Sequence, residues 1–405
     1  MPSPDVPNST DVPNSTDVPS STDVLVVGGG AVGAAVAYYL RLADPSVSVT
    51  VVERDPTYER ASTPRASGGV RRLFSLPENI ELSKYSIDVF AGFADLMAVD
   101  GVPAEIGWKR NGYIFIVPPE STDMLRANHD TQLSLGCDVR WLTPDEVKDR
   151  FPSMYVGDLG AAVLSPDDGW LDPHAVLMGY RNKARSLGAR FVADEVVGLD
   201  VAGHAVTGAR LASGTTVTAS HVVNAAGAWA ADICAMAGVD VPITPLKRYE
   251  HYFEAQEPIE PLPYLKDTQR LAFRPEGTGY SGGVPTLDQP RGVDFFVDRR
   301  YFEDVVWPAL AHRFPQFERT KCLSTLPGLY DQNDLDGNVV IGPVAGYGNF
   351  HLLAGFSGHG LMHAPGCGRA MAELLLTGGY ETIDLTRFGW QRIADGTPLP
   401  ERGII

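Results

Sequence analysis

The sequence predicts a mixed α/β protein, α+β overall, in which a parallel sheet covered by helices is interleaved with an antiparallel sheet. From residue 23, a buried strand, a glycine-rich turn, a helix and a second strand follow in the order of a βαβ unit. Between residues 246 and 297, short strand patterns are separated by turns containing Pro or Gly, as in an antiparallel sheet. A chain of 405 residues favours two domains.

The first strand and the turn after it have the pattern of a Rossmann-like dinucleotide-binding unit. Asp23–Val27 is apolar without alternation, as expected for a buried parallel strand. Gly28, Gly30 and Gly33 follow in G-x-G-x-x-G register, which permits a tight turn, close approach to a pyrophosphate and close packing of helix on strand. The predicted helix, Ala31 to about Leu42, offers its N-terminal N–H groups to that pyrophosphate.

An acidic residue follows the second predicted strand, Val47–Val52. Glu53 lies 20 residues beyond Gly33. Its carboxylate can accept both hydroxyls of an adenosine ribose and would repel a 2′-phosphate. Strand, turn, helix, strand and acid in this register predict a site for an ADP-containing dinucleotide, but they do not separate FAD from NAD.

Two segments in the middle of the chain favour FAD. The loop of small residues Ser67, Gly68 and Gly69, ahead of Arg71 and Arg72, suits close contact with a flavin ring. Residues 221–227 read as a strand that enters a glycine turn.

The C-terminal part carries the most specific signal for FAD. A strand, Asn349–Ala354, leads into the turn Gly355–Gly360, and a helix follows from about Leu361 or His363 to Leu376. A second glycine-rich helix start suits the pyrimidine edge of a flavin, where negative charge collects on reduction. A plain NAD dehydrogenase would not need it.

The antiparallel sheet is predicted from short strand patterns in the second half of the chain. These predicted strands are Leu246–Glu254, Arg270–Arg274, Gly279–Gly283 and Gly292–Val297.

Composition restricts partners and location. The net charge of −17 argues against nucleic acid and anionic membrane surfaces as partners. No apolar run reaches the ~18 residues of a membrane span. The four cysteines are scattered, which favours a reduced, cytoplasmic protein. Residues 1–22 contain an acidic, Pro-rich hexapeptide repeat and predict a disordered tail rather than a targeting signal.

The acidic balance has two open explanations. Aspartate supplies 32 of the 50 acidic residues, and lysine only 7 of the 33 basic ones. Short carboxylates in place of long lysine stems suit a halophilic cytoplasm, where salt screens the repulsion between charges. A codon bias that favours arginine over lysine explains the same numbers.

With these segments identified, residues 23–405 resemble the D-amino-acid-oxidase/sarcosine-oxidase superfamily of flavoproteins. Within it, the chain is similar to the FAD-dependent oxidoreductase domain-containing proteins described as assembly factors for respiratory complex I. The stretches that carry the first resemblance are Gly28–Gly33 with Glu53, Asp168–His174, Asn224–Trp229, Val339–Pro343 and Gly355–Gly360. Those that carry the second are Ser67–Gly69, Phe74–Ile80, Lys247–Tyr249, Val306–Pro308, Gly355–Leu361, Ala364–Gly366 and Thr382–Leu385.

The resemblance implies an FAD-binding domain of the glutathione-reductase-like type, interleaved with a substrate domain whose antiparallel sheet covers the flavin. The implied FAD-binding domain comprises residues 23–101, 160–236 and 322–395. The implied substrate domain comprises residues 102–159 and 237–321, and residues 396–405 form a C-terminal extension.

The resemblance also implies a reaction, namely oxidation of the C–N bond of a small secondary or N-methyl amino acid by hydride transfer to flavin N5. Oxygen or an electron carrier would then accept the electrons. The cofactor-binding residues implied are Gly28, Gly30, Ala31, Val32, Gly33, Glu53, Arg54, Ser67, Gly68, Gly69, Val196, Ala226, Gly227, Trp229, Gly328, Gly355, Phe356, Ser357, Gly358, His359 and Gly360.

The sequence departs from the monomeric sarcosine oxidases at two positions. Met362 stands where they have a lysine near the flavin. Gly328 stands about where they have the cysteine that links FAD covalently, and Cys322 lies too far upstream to replace it. We therefore expect FAD to be bound non-covalently.

Four side chains are candidates for the chemistry. Arg274, on a predicted strand of the covering sheet, could bind a substrate carboxylate bidentately, or it could be a solvated arginine at a strand end. We expect Arg71 beside the isoalloxazine, where it favours the flavin anion. Arg248 is an alternative carboxylate anchor, and strand alternation allows only one of Lys247 and Arg248 to face inward. His359 lies in the flavin turn, where its backbone alone could serve.

Other functions stay open at this stage. The chain could be an FAD-containing assembly factor, or a flavin dehydrogenase of 2-hydroxy acids or D-amino acids. Oxidation of a 2-hydroxy acid needs a base for the hydroxyl proton, and His359 and His251 are the candidates. The spacing of His351 and His363 would scatter their rings, so no metal site is expected.

Overall fold

The computed structural model describes residues 18–267, 271–286, 288–344 and 346–402. Most of the predicted N-terminal tail, residues 1–17, lies outside these ranges. The strands are β1 (Ser21–Val27), β2 (Val49–Glu53), β3 (Gly69–Val70), β4 (Tyr113–Val117), β5 (Arg140–Leu142), β6 (Ala161–Ser165), β7 (Gly169–Trp170), β8 (Arg190–Ala193), β9 (Val196–Ala202), β10 (Ala205–Leu211), β11 (Thr216–Asn224), β12 (Ile243–Ala255), β13 (Tyr264–Lys266), β14 (Ala272–Glu276), β15 (Gly279–Gly283), β16 (Thr320–Asn333), β17 (Val340–Pro343) and β18 (Phe350–Ala354). The α-helices are α1 (Ala31–Ala43), α2 (Pro77–Ala91), α3 (Phe93–Leu96), α4 (Thr122–Ser134), α5 (Pro144–Arg150), α6 (Pro173–Ser186), α7 (Ala230–Ala235), α8 (Trp307–Arg313), α9 (Gly360–Thr377) and α10 (Gln391–Ala394).

One sheet has the parallel core expected of a dinucleotide-binding unit. Its strands follow the order β17-β18-β11-β1-β2-β8, and the hairpin β9-β10 pairs with β11. The pairs β18-β11, β11-β1, β1-β2 and β2-β8 are parallel. The predicted α/β class is therefore confirmed, and the carboxyl ends of β1, β2 and β11 lie along one edge of this sheet.

Helices α1 and α9 pack against each other on this sheet. Both have small residues where they meet: a Cβ added at Gly368 of α9 would lie 2.7 Å from the Cβ of Ala35. Because the axes come this close, the N-termini of the two helices face the same space. The predicted beginning of α1 at Ala31 is confirmed, and α9 begins at Gly360, one residue before the range predicted for it.

The second sheet has the order β16-β12-β15-β14-β13-β4-β6-β5 and is antiparallel except for the pair β13-β4. Its β12 covers the predicted strand Leu246–Glu254, and β15 matches the predicted Gly279–Gly283. For the predicted strand Arg270–Arg274, Arg270 lies outside the described residues and β14 begins at Ala272. Aromatic side chains fill the core on the side that faces α8.

The predicted strand Gly292–Val297 is wrong. Within the described chain, its backbone meets a strand only at its first residue: Arg291 forms an isolated bridge to Leu246, and the Gly292 N–H donates to the Pro245 carbonyl oxygen of β12 at 2.9 Å. Side chains bind its backbone polar groups instead: the Phe296 carbonyl accepts from Lys247 Nζ at 3.2 Å and from Tyr249 Oη at 3.0 Å. The Phe296 N–H donates to Asp294, so no ladder partner is needed.

Strand β16 connects the two sheets. It pairs with β12 from Ala255–Thr320 to Ile243–Asn333, and its last residues reach the parallel sheet. The predicted boundaries at 160 and 322 fall beside β6 and inside β16, and both strands belong to the antiparallel sheet. The division of the chain into domains stays a prediction.

The last described residues return to the N-terminus of α2. The Glu401 carboxylate accepts hydrogen bonds from the N–H groups of Ser75 and Leu76. Among the residues in the ranges above, no helix has both the length and the apolar character needed to cross a bilayer. The cytoplasmic location and the halophilic setting stay predictions.

Candidate functional site

A long cavity lies at the carboxyl edge of the parallel sheet, between that sheet and strand β16. Its empty volume, which includes space open to solvent, is about 1470 Å³. Gly28, Glu53 and Val196 line one end, and Phe356, Gly358 and Leu361 line the other. The cavity therefore extends from the N-terminus of α1 to the N-terminus of α9.

The first glycine turn is shaped by backbone contacts. Gly28 has a φ of +99°, and a Cβ there would lie 2.5 Å from the carbonyl oxygen of Ala225. A Cβ at Gly33 would lie 2.0 Å from the Gly28 carbonyl oxygen, so Gly33 serves the close packing predicted for it. The α1 N-cap, Gly30, has no capping side chain, and the helix presents its first N–H groups to the cavity.

The acidic residue predicted for the ribose lies at the end of β2 and faces the cavity. The Glu53 carboxylate accepts the N–H groups of Gly29 and Asp55, both at 2.8 Å. Desolvation raises the pKa of Glu53, and these two N–H groups oppose the rise. Nearby, the Arg54 guanidinium lies 3.9 Å from the centre of the Trp229 ring, which makes a flat wall for a base.

The second glycine turn is held by a half-buried carboxylate. One oxygen of Asp331, on β16, accepts the N–H of Gly355 at 2.8 Å and that of Phe356 at 3.1 Å. Desolvation raises the pKa of Asp331 to about 6, against the effect of these amides. Ser357 has a φ of +52°, and its hydroxyl accepts the N–H of Asn333 at 2.9 Å. The turn is therefore fastened to β16 on both sides.

Arg71 is buried beside this turn without an acidic partner. Its Nη2 donates to Nε2 of His359 at 3.1 Å, and its Nε has no partner among the described residues. The rings of Phe74, Tyr113 and Phe115 surround the guanidinium. Desolvation and then the charge of Arg71 hold the pKa of His359 well below its ordinary value. The cluster is a buried cation beside a neutral imidazole.

Arg248, on β12, lines the cavity. Its guanidinium lies 4.8 Å from the centre of the Tyr330 ring and donates to the carbonyl oxygens of Lys247 and Thr286. Its Nε has no partner, and it forms no ion pair within the described chain. Lys247 is also buried, but it faces the other way and pairs with Asp294. Strand alternation thus directs Arg248 to the cavity.

Arg274 is less available than the sequence suggested. It pairs with Glu276, and its Nε donates to the Ser67 carbonyl oxygen at 2.8 Å. It does not line the cavity. Arg72, the neighbour of Arg71, is mostly buried in an ion pair with Asp168, because Asp168 is fully buried below it.

The structure brings most of the predicted cofactor residues to one cavity, although their contact with a cofactor stays a prediction. Those that line it are Gly28, Gly30, Ala31, Val32, Glu53, Arg54, Val196, Ala226, Gly227, Trp229, Gly328, Phe356, Gly358 and Gly360. Those that lie behind or beside its lining are Gly33, Ser67, Gly68, Gly69, Gly355, Ser357 and His359.

Sequence reasoning missed several residues of the cavity. The Thr63 hydroxyl accepts the N–H of Ala31 at 3.3 Å, and the Arg65 guanidinium donates to the Pro327 carbonyl oxygen. Tyr330 and Asp331 are also part of the lining. No strand was predicted over Tyr330 and Asp331, which lie in β16. Thr63 and Arg65 lie in a short 3-10 helix, Thr63–Arg65, that no sequence motif marks.

The residues present fit FAD. Two helix N-termini face one cavity, and neither N-cap residue, Gly30 or His359, caps its helix with a side chain. Glycine backbone forms both turns. The cavity is long enough to span the distance between two such helix starts. Among the described residues, no group of three or more His, Cys, Asp or Glu side chains is placed to bind a metal ion.

Comparisons with known proteins agree. The family model described as "DAO: FAD dependent oxidoreductase" matches residues 23–374. The chain is 34% identical to FAD-dependent oxidoreductase domain-containing protein 1 of Xenopus laevis, over 94% of this chain and 84% of that protein. It is 27% identical to the mitochondrial sarcosine dehydrogenase of Mus musculus, over 90% of this chain and 41% of that protein.

The fold is also that of a solved enzyme. The structure of L-proline dehydrogenase from P. horikoshii superposes with a TM-score of 0.82 at 26% identity. The superposition covers 94% of this chain and 100% of that one.

Proposed function

The chain belongs to the DAO family of FAD-dependent oxidoreductases, and from that premise we propose that it oxidises the C–N bond of a small amino acid with a secondary or N-methyl amine. Two relatives support this substrate class by name. Sarcosine and proline, named for the mouse and P. horikoshii proteins, are both amino acids with a secondary amine. FAD, bound non-covalently, supplies the hydride acceptor at N5 of its ring system.

One observation carries the proposal: Arg248 faces the cavity beside Tyr330 and lacks an acidic partner. A buried guanidinium without a carboxylate is costly, and a substrate carboxylate would offset that cost. Arg248 is therefore the proposed anchor, with the Tyr330 ring as the surface against which the substrate rests. Arg274, which already pairs with Glu276, has less to gain from a substrate.

Two buried arginines also favour the reactive form of an amine. Loss of a hydride from carbon requires a neutral amine nitrogen, because a protonated one cannot donate its electron pair. Arg248 lines the cavity, and Arg71 lies behind its lining beside the second glycine turn. Their positive charges disfavour a further cation nearby and so lower the pKa of a bound amine. Tyr113 stacks on Tyr264 with ring centres 4.4 Å apart, and both rings pack against Gly69.

The oxidation of a 2-hydroxy acid has less support, because it needs a base. The Nε2 lone pair of His359 already accepts an N–H from Arg71, so it is not free to take a proton. His251 is buried among Tyr249, Tyr301 and Phe302 and does not line the cavity. A role in assembly of a respiratory complex has no supporting feature among the described contacts.

The test is anaerobic reduction of the purified protein by a panel of sarcosine, dimethylglycine, proline and D-amino acids. Loss of the visible flavin band with one of the secondary or N-methyl amines is the expected result. No reduction by any member of the panel would overturn the proposal. Reduction by D-amino acids alone would replace it with the corresponding D-amino acid oxidation.

The proposed anchor has its own test. Arg248→Gln removes charged hydrogen bonds, and we expect the apparent Kd of the reducing amine to rise roughly 10- to 100-fold. Arg274→Gln is the matched variant, since it removes a buried arginine of the same sheet that lies outside the cavity lining. A larger rise for Arg274→Gln than for Arg248→Gln would transfer the role to Arg274.

A further inference from the structure

The segment that leads into α2 is bound by a residue more than three hundred positions away. The N-cap residue of α2, Leu76, has no side-chain acceptor to offer. The Glu401 carboxylate binds the two residues before the helix: it accepts the N–H of Ser75 at 2.6 Å and the N–H of Leu76 at 3.1 Å. It also accepts the Ser75 hydroxyl, and an N–H of the Asn79 side chain in the first turn at 2.6 Å. A negative charge at this position interacts favourably with the helix dipole.

The segment around Glu401 is itself fastened. The Leu399 N–H donates to Asp336 at 3.1 Å, and its carbonyl oxygen accepts from Asn338 at 2.7 Å. The Arg402 carbonyl oxygen accepts from Asn128 of α4 at 2.8 Å. Because anchors lie on both sides of it, the Glu401 side chain is held in one position.

Glu401 binds Ser75 and Leu76, which come immediately after Phe74 in the chain, and Phe74 belongs to the cluster around Arg71. Phe74, next to Ser75, is fully buried, and its ring lies 4.6 Å from the Arg71 guanidinium. The same ring meets His359 edge-on at 5.0 Å and His363 at 5.2 Å. A shift of Ser75 and Leu76 would therefore move the surface on which Arg71 and His359 rest.

We propose that Glu401 is a positioning residue: by binding the N–H groups of Ser75 and Leu76 it fixes the Phe74–Leu76 segment and, through Phe74, the place of Arg71 beside the second glycine turn. The proposal rests on the proposed function only in giving Arg71 a role at the flavin. Arg71 forms no ion pair within the described chain that could hold it independently. The rings of Phe74, Tyr113 and Phe115 and the bond to His359 hold it, and Glu401 acts on the first of these rings.

The test compares Glu401→Ala and Glu401→Gln with Glu257→Ala, a matched change of an exposed glutamate away from the cavity. Three properties are measured on each FAD-loaded protein: the visible circular dichroism of the flavin, hydrogen exchange of residues 71–80, and the affinity for sulfite. The affinity for sulfite reports positive charge beside the flavin. Glu401→Gln keeps one acceptor oxygen, so it provides a milder variant for the same measurements if Glu401→Ala does not fold.

For Glu401→Ala we expect altered flavin dichroism, faster exchange in residues 71–80 and a sulfite Kd raised roughly tenfold, with a smaller change in Glu401→Gln. Once an amine substrate has been identified, the kcat of Glu401→Ala should fall, whereas the Kd of that amine, which depends on Arg248, should stay constant. A folded Glu401→Ala protein that differs from Glu257→Ala only in thermal stability would overturn the proposal. Since dichroism, exchange and sulfite need no turnover, this failure is distinguishable from a wrong substrate class.

Discussion

The two ends of the cavity use the same device, a glycine turn ahead of a helix, but the turns are held by different parts of the chain. At the α1 end, backbone atoms enclose Gly28 and Gly33. At the α9 end, side chains enclose the glycines: the Tyr330 ring lies against Gly358, and Ile243 and Asn333 lie against Gly355. Backbone cannot move without breaking the sheet, whereas side chains can repack.

The carboxylates at the two ends also differ in how their two oxygens share the amide hydrogen bonds. Glu53 spreads its two amide bonds over two oxygens, whereas Asp331 uses one oxygen for both. The α1 end is thus a rigid site that we assign to the invariable ADP part of a dinucleotide. The α9 end, where we propose that the chemistry takes place, has a geometry that nearby side chains can adjust.

The largest effect that tests this contrast is expected from Gly28→Ala. The added Cβ meets a carbonyl oxygen and the φ is unfavourable, so the change costs on the order of 3 kcal/mol or more and abolishes FAD retention. Gly358→Ala, whose Cβ meets a tyrosine ring, should cost less and leave some FAD bound. Flavin content and chemical unfolding measure both.

Gly214→Ala is the control for the cost of a positive φ without a steric clash, because Gly214 has a φ of +89° with open space around it. It should cost about 1–2 kcal/mol through φ alone and leave FAD content unchanged. Equal losses for Gly28→Ala and Gly358→Ala would remove the distinction between the two turns.

A middle-sized effect is expected at Glu53. Glu53→Ala removes the acceptor of the Gly29 N–H and the proposed ribose contact, and it should weaken FAD binding by about 1–3 kcal/mol. Glu53→Gln, which keeps one acceptor oxygen, should lose less. Titration of the apoprotein with FAD measures both, and unchanged affinity in Glu53→Ala contradicts the assignment of this end to the ribose.

The smallest effect is a change in pH dependence at Asp331. Its folded pKa of about 6 lies above the ordinary carboxyl value. The folded apoprotein therefore binds this proton more tightly than the unfolded chain does, and the stabilisation is lost as pH rises through 6. Asp331→Asn keeps an acceptor for both amides without the charge. It should stabilise the apoprotein by about 1–2 kcal/mol above pH 6, after discounting for water in the cavity, and by almost nothing below pH 4.

Unfolding by denaturant at several pH values measures the difference between Asp331→Asn and the parent protein. A constant difference across this range would mean that Asp331 has an ordinary pKa, and that charge plays no part in holding the second turn.

Local patterns predicted the elements that form the cavity. The G-x-G-x-x-G register placed Gly28 and the start of α1, and the turn after β18 placed α9. These predictions succeed because each depends on residues adjacent in sequence. Failures came where partners are distant: Gly292–Val297 has strand composition, but Lys247 and Tyr249 bind its backbone. For Arg274, the bond to the Ser67 carbonyl oxygen joins residues 207 positions apart, whereas its ion pair with Glu276 is local and was overlooked.

The contacts of Gly28 and Glu401 have a consequence for how the protein is made. The first turn of the cavity is enclosed by the backbone of Ala225, far along the chain, and the segment below Arg71 requires residue 401. Long-range pairings of this kind form late in folding. During synthesis, the emerging first half presents a dinucleotide turn that cannot yet enclose its ligand. Cofactor loading should therefore follow release from the ribosome, and a prematurely terminated chain would be recognised by proteases as incompletely folded.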